Sequence, residues 1–246
     1  MSSNMTRSAA IGQSATSLVL LCGLLCDFTI WAALARRLNS NQVQIESFPA
    51  SNSIGAMARG VLQRAPEKFA LGGHSMGGRV ALEVVRQAPD RVLALGLFNT
   101  GIHPCKPGEP EARARLLRIA REQGMSALAA EWLPPMMGAP PLRRLEVMPE
   151  LTRMVERMSL STFEGQIKAL LDRPDARPVL RTITVPTLLA SATSDTWSPV
   201  SQHEDMLREI PHARLAVIEA AGHMMPIEQP DALAREINVW MEGLPA

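Results

Sequence analysis

The pentapeptide Gly73-His74-Ser75-Met76-Gly77 holds a hydroxyl between glycines two positions before and two after it, the G-x-S-x-G pattern. It follows the apolar run Phe69 to Gly73 and precedes an amphipathic stretch, Gly77 to Gln87, so it reads as a strand-to-helix turn. In such a turn the serine backbone is strained and the hydroxyl stands exposed at a helix start. There, main-chain N–H groups and the positive end of the helix dipole can meet a developing oxyanion. The plain alternative is a serine in an ordinary glycine-rich turn; the strand before it and the helix after it favour a nucleophile. Two phosphate-binding readings of the same loop fail. The third position of G-x-G-x-x-G is His74, and Gly78-Arg79 stands where the lysine of a P-loop should begin.

A serine hydroxyl is a weak nucleophile until a base takes its proton and an acid holds that base in the right tautomer. Five histidines are available. His223, in "EAAGHMMPIEQPD", follows the last apolar run in a loop tightened by Gly222 and closed by Pro226, and is the leading base. His203 and His212 sit beside charged and polar residues and read as solvated surface; His74 is too close in sequence to turn back on Ser75, and His103 lies farther along, past the next apolar run. For the acid, Asp195 in "TVPTLLASATSDTWSP" stands just beyond an apolar run ending near Ser191. Another place for an acid, the end of the preceding core strand, is occupied by Asn99, which cannot carry the charge.

The elements that must position these residues are short apolar runs alternating with amphipathic segments. Strands are expected at Ser17 to Cys22, Val43 to Phe48, Phe69 to Gly73, Leu93 to Asn99, Val185 to Ser191 and Arg214 to Glu219. Helices are expected at Ile30 to Asn39, Ile54 to Arg64, Gly77 to Gln87, Val200 to Ile210 and Asp231 to Met241. This alternation predicts an α/β fold with a mostly parallel sheet of about six strands and helices on both faces. From about Ile102 to Arg181 no convincing strand occurs, only prolines among Arg- and Met-rich helical stretches, so 102–181 is expected to be a helical lid insertion. One domain over 1–246 follows, with its core at 15–101 and 182–244.

Composition narrows the partners. A formal charge of +1 with mixed acids and bases gives no basic stripe for nucleic acid. No apolar stretch reaches the roughly 18 residues of a membrane span, so a soluble protein, monomeric or homodimeric, is expected. The run Leu18 to Leu25, with Arg7 before it, loosely imitates a secretion signal, but no Ala-x-Ala follows and Leu25 is too large before a lipidated Cys26. It fits better as a strand covered on both faces. The three cysteines, Cys22, Cys26 and Cys105, form no even framework or zinc-type pairing and suggest reduced thiols in a cytoplasm.

The stretches "LLCGLLCDFTIW", "GGHSMGGRVALEVVRQAPDRV", "VPTLLASATSDTWSP" and "AGHMMPIEQPDAL" resemble the α/β-hydrolases of the carboxylesterase and enol-lactonase-like group, over about Leu18 to Met241 apart from the insertion. The order Ser75, Asp195, His223 is the nucleophile, acid, base order of that fold. The resemblance implies a serine hydrolase acting on a small carboxylic ester or lactone through an acyl-enzyme, with no cofactor or metal. It assigns the oxyanion N–H groups to Leu24 and Met76. A C–C bond hydrolase, an acyltransferase and a non-catalytic binding protein of the same fold are the alternatives, whereas Ser75 excludes the carboxylate nucleophile of a haloalkane dehalogenase.

Two departures accompany the resemblance. Cys22-Gly23 stands where His-Gly is common, and two strands that often precede the core are expected to be reduced or absent. As a buried apolar filler Cys22 is better explained than as a thiolate, because no base or cation is evident beside it. Leu25, Trp197 and Met224 are expected to line the substrate pocket, with methionines of the insertion adding to it or filling ordinary core. Arg113, Arg115, Arg118 and Arg121 could attract a carboxylate, but their helical spacing favours a solvated face.

Overall fold

The computed structural model describes residues 16–40, 42–242 and 244. The apolar runs become β1 (Leu18–Leu21), β2 (Val43–Glu46), β3 (Phe69–His74), β4 (Val92–Phe98), β5 (Thr187–Ala192) and β6 (Ala213–Ile218). They form one sheet in the order β2-β1-β3-β4-β5-β6, with every neighbouring pair parallel. Strands β1, β3 and β5 are buried along their whole length, as parallel strands covered on both faces must be. At one edge Glu46 of β2 is held by the Arg64 guanidinium at 2.5 Å, a charged pair that blunts the open edge.

The helices between strands are α1 (Thr29–Ala35), α2 (Ile54–Arg64), α3 (Met76–Gln87) and α8 (Val200–Glu209). Crossovers between parallel strands are right-handed, so the direction of travel across the sheet decides which face a helix covers. The chain moves outward from β1 to β2 and then back across β1 to β3, β4, β5 and β6. Helix α1 therefore lies on the face opposite α2, α3 and α8, and α10 (Pro230–Met241) packs beside α1. The order reverses between β1 and β3, and the crevice beyond the carboxyl ends of these two strands is where such sheets bind ligands.

Between β4 and β5 the chain makes a helical lid: α4 (Glu109–Trp132), α5 (Pro141–Glu156), α6 (Leu160–Leu171) and the short α7 (Arg177–Leu180). Helix α4 is broken at Gly124, whose φ of 87° only glycine adopts without strain. The lid packs through α4 on α5 and α6 and through α5 on the short α9 (Met225–Glu228) and α1. Among the described residues no helix is long and apolar enough to cross a membrane. The two leading strands expected to be reduced or absent, the charged Arg7 and the core limit at 15 concern residues outside the described ones.

Candidate active site

Ser75 joins β3 to α3 with φ 55° and ψ −116°, a conformation costing on the order of 1–3 kcal/mol for a residue with a side chain. Three bonds hold it there. Its N–H donates to the Phe98 carbonyl at 3.0 Å, and its own carbonyl accepts from Thr100 Oγ1 at 2.6 Å and from the Gly78 N–H at 3.1 Å. The flanking glycines are required by close approach. A Cβ on Gly73 would stand 2.3 Å from the Gly77 carbonyl oxygen, and one on Gly77 would stand 2.4 Å from that of Leu21.

The loop after β6 brings His223 over this turn. Ser75 Oγ lies 2.9 Å from His223 Nε2, and His223 Nδ1 lies 2.8 Å from Asp195 Oδ2. The imidazole so placed donates from Nδ1 to the carboxylate and accepts the serine hydroxyl at Nε2. Asp195, after β5, is buried and takes two further main-chain donors on Oδ1, from Trp197 at 2.8 Å and Ser198 at 3.0 Å. Burial opposes its charge, but His223 and these two N–H groups outweigh it, and its pKa lies below the usual carboxylate value.

Asn99, unable to serve as the acid, contributes a donor. At the end of β4, with φ 44°, it gives its Nδ2 to Asp195 Oδ2 at 2.6 Å and to the Gly222 carbonyl at 3.0 Å, tying Asp195 to the histidine loop. His74 sits beneath His223, its Nε2 2.7 Å from the His223 carbonyl, so that Nε2 carries the proton. Burial, and next the nearby His223, bring its pKa down to about 3, and it is neutral.

The loop after β1 lies against the same serine. A Cβ on Gly23 would stand 3.2 Å from Ser75 Cβ, so the Cys22-Gly23-Leu24 backbone passes beside the turn. The next residue, Leu25 (φ 55°), is fixed by the lid: its N–H donates to Gln166 Oε1 at 2.8 Å, and Gln166 Nε2 donates to the Phe48 carbonyl at 3.1 Å. Among the described residues neither the Leu24 N–H nor the Met76 N–H has a hydrogen-bond acceptor. Burial raises the thiol pKa of Cys22 well above its ordinary value and that of Cys26 to about 12, so both stay protonated.

Glu228, buried in α9, clamps the lid to the histidine loop. Its Oε1 accepts the Gly222 N–H at 3.0 Å, and its Oε2 accepts those of Gly138 at 2.8 Å and Ala139 at 2.6 Å. Burial pushes its pKa up despite these donors. The lid also takes the His223 N–H on the Met136 carbonyl at 2.7 Å.

Ser75 and His223 open on a cavity of about 320 Å³ lined also by Leu24, Met76, Met136 and Trp197. Leu25 and Met224, expected in the pocket, are fully buried in the core and are not among the lining residues. Two surface readings need correction. His203 is fully buried, because it shares the inner face of α8 with Met206. It accepts the Thr100 N–H at 3.3 Å, and burial lowers its pKa to about 4. Arg113 is not on the solvated face with Arg115, Arg118 and Arg121; it lines the cavity. His212 is exposed and His103 lines the cavity.

Comparison with known proteins gives the same fold. A family model described as "Alpha/beta hydrolase family" matches residues 28–236. A pimeloyl-[acyl-carrier protein] methyl ester esterase of Nitrosomonas europaea is 24% identical over 232 residues, 87% of this chain and 91% of that protein. A malate-bound thermophilic esterase from Thermogutta terrifontis superposes with a TM-score of 0.82 at 27% identity, over 92% of this chain and 89% of the other. The enol-lactonase of Burkholderia xenovorans superposes with a TM-score of 0.80 at 23% identity, over 92% and 91%.

Proposed function

The chain belongs to the alpha/beta hydrolase family, and on that footing we propose that it is a serine hydrolase cleaving a small carboxylic ester or lactone through an acyl-enzyme. The observation that carries this reading is the unbroken hydrogen-bonded row from Ser75 Oγ through His223 to Asp195, opening on a cavity. His223 Nε2 takes the Ser75 proton as Oγ bonds to the substrate carbonyl carbon, and Asp195 stabilises the imidazolium. The Leu24 and Met76 N–H groups receive the oxyanion, each worth about 3–4 kcal/mol of transition-state stabilisation. Collapse breaks the bond to the leaving oxygen, which receives the proton from His223. Water then attacks the acyl carbon, giving its proton to the same nitrogen; collapse breaks the bond to Oγ, His223 returns the proton to Ser75, and the acid departs.

Trp197, whose ring centre lies 6.0 Å from that of His223, and Met136 supply apolar surface beside the reacting carbon. The names of the esterase and lactonase relatives agree with an ester or lactone as the scissile group. The test is release of p-nitrophenol from short-chain acyl esters. Wild-type turnover that Ser75→Ala reduces to the buffer rate supports the reading, and hydrolysis that survives Ser75→Ala refutes it.

A further inference from the structure

Charge is unevenly distributed in the cavity that holds Ser75. Four cations, Arg79, Lys106, Arg113 and Arg173, line it with a single carboxylate, Glu109. Glu109 is shared by Arg113 and Arg173, each at 2.6 Å. Arg173 is further engaged by the carbonyls of Leu170, His103 and Pro104, which makes it a strut between the end of α6 and the start of α4. Arg79 is different. Its one hydrogen bond is from Nη1 to the His103 carbonyl at 2.9 Å, and among the described residues no carboxylate pairs with it. Burial, and next the neighbouring Arg173, lower its pKa to about 9, which leaves it charged at neutral pH. Half-buried on the cavity wall, with Glu109 near but not bonded to it, this guanidinium keeps donors to spare, and its planar fork fits a carboxylate through two parallel bonds.

Resting on the hydrolase reading above, we propose that the substrate carries a free carboxylate, received by Arg79 with Arg113, while the ester or lactone carbonyl lies at Ser75. Arg79 stands one helical turn after Ser75 in α3, about 6 Å along the axis, so both groups of one small molecule fall within the same cavity. The same cavity offers Leu116, Trp132 and Met136 as apolar lining to a short methylene chain.

Paired substrates that differ by one charge test this. Mono-p-nitrophenyl adipate against its methyl-capped form places the carboxylate on the acyl side, and butyryloxyacetate against its methyl ester places it on the alcohol side. A charge-assisted contact is expected to favour the acid by about tenfold to a hundredfold in kcat/KM in one pair, which also identifies the side. That preference should collapse in Arg79→Gln and be partly kept in Arg79→Lys. Neutral esters cleaved as well as or better than the acids in both pairs would overturn the proposal, as would a preference that survives the Arg79→Gln, Arg113→Gln double variant. If the wild type cleaves no ester, the hydrolase reading fails separately. Calorimetric titration of the wild type with adipate and with dimethyl adipate then decides: tighter binding of the dianion supports the carboxylate site, and equal or absent binding of both overturns it.

Discussion

Replacing Asp195 with asparagine removes one charge and almost no volume, and its consequence follows from four donors. Oδ1 accepts the Trp197 and Ser198 N–H groups, and Oδ2 accepts Asn99 Nδ2 and His223 Nδ1. A carboxamide has one oxygen and one NH2 group, so one of these pairs must lose its acceptor. If the NH2 group faces Trp197 and Ser198, two buried main-chain donors are orphaned at about 1–3 kcal/mol each. If it faces the other way, Asn99 keeps the Gly222 carbonyl, and His223 Nδ1 becomes an acceptor. The second arrangement is cheaper. It forces the imidazole proton onto Nε2, where it confronts Ser75 Oγ and cannot accept the hydroxyl proton. Asp195→Asn is therefore expected to lower kcat by about ten-thousandfold, about 5 kcal/mol, with the fold intact. Ester hydrolysis measured beside nitrogen-15 NMR of the imidazole reads both rate and tautomer. A variant within about tenfold of wild type, or one keeping its proton on Nδ1, would refute the reasoning.

Two further outcomes come from buried polar groups. Glu228→Gln must turn an NH2 group toward either Gly222 N–H or the Gly138 and Ala139 pair, so it should lose about 1–3 kcal/mol in urea unfolding; unchanged stability would show that these bonds do not tie lid to loop. His203 and His74, whose pKa values fall to about 4 and about 3 in the fold from the ordinary 6.5, are neutral where the unfolded chain is already protonated. Their stability is complete above pH 6.5 and is lost as pH falls through the native values, on the order of 3 kcal/mol for His203 and more for His74. Urea melts from pH 7 to 4 should show this decline, and His203→Asn should flatten it; an equally steep decline in the variant would contradict the assignment.

Strands and helices of the core were legible because each carries its own period. The apolar runs at β1, β3 and β5 needed no partner to be recognised, and the core strands and helices end within two residues of expectation except α1, which stops at Ala35 rather than Asn39. Ser75, His223 and Asp195 were legible from their places after strands, and they lie in one hydrogen-bonded row. Residues working across the chain were not. Gln166 fixes Leu25 from 141 positions away, and no local pattern marks it. Asn99 could be read as unfit to be an acid, but not as the donor to one. Arg113 had a usable signal: it shares a helical face with Leu116 and the buried Ala120, whereas Arg115 and Arg118 do not. His203 had the same kind of signal in Met206. Leu25 and Met224 are adjacent in sequence to site residues yet point into core, since proximity along a tight turn says little about side-chain direction.

On the proposed reading, the Ser75 hydroxyl is activated by the His223–Asp195 pair and faces main-chain donors. The most direct test is intact-protein mass spectrometry and peptide mapping after treatment with a fluorophosphonate probe. One adduct, mapping to Ser75 and lost in a folded His223→Ala variant, is the expected result. A folded wild-type protein that takes no probe, or equal labelling without the imidazole, would contradict it.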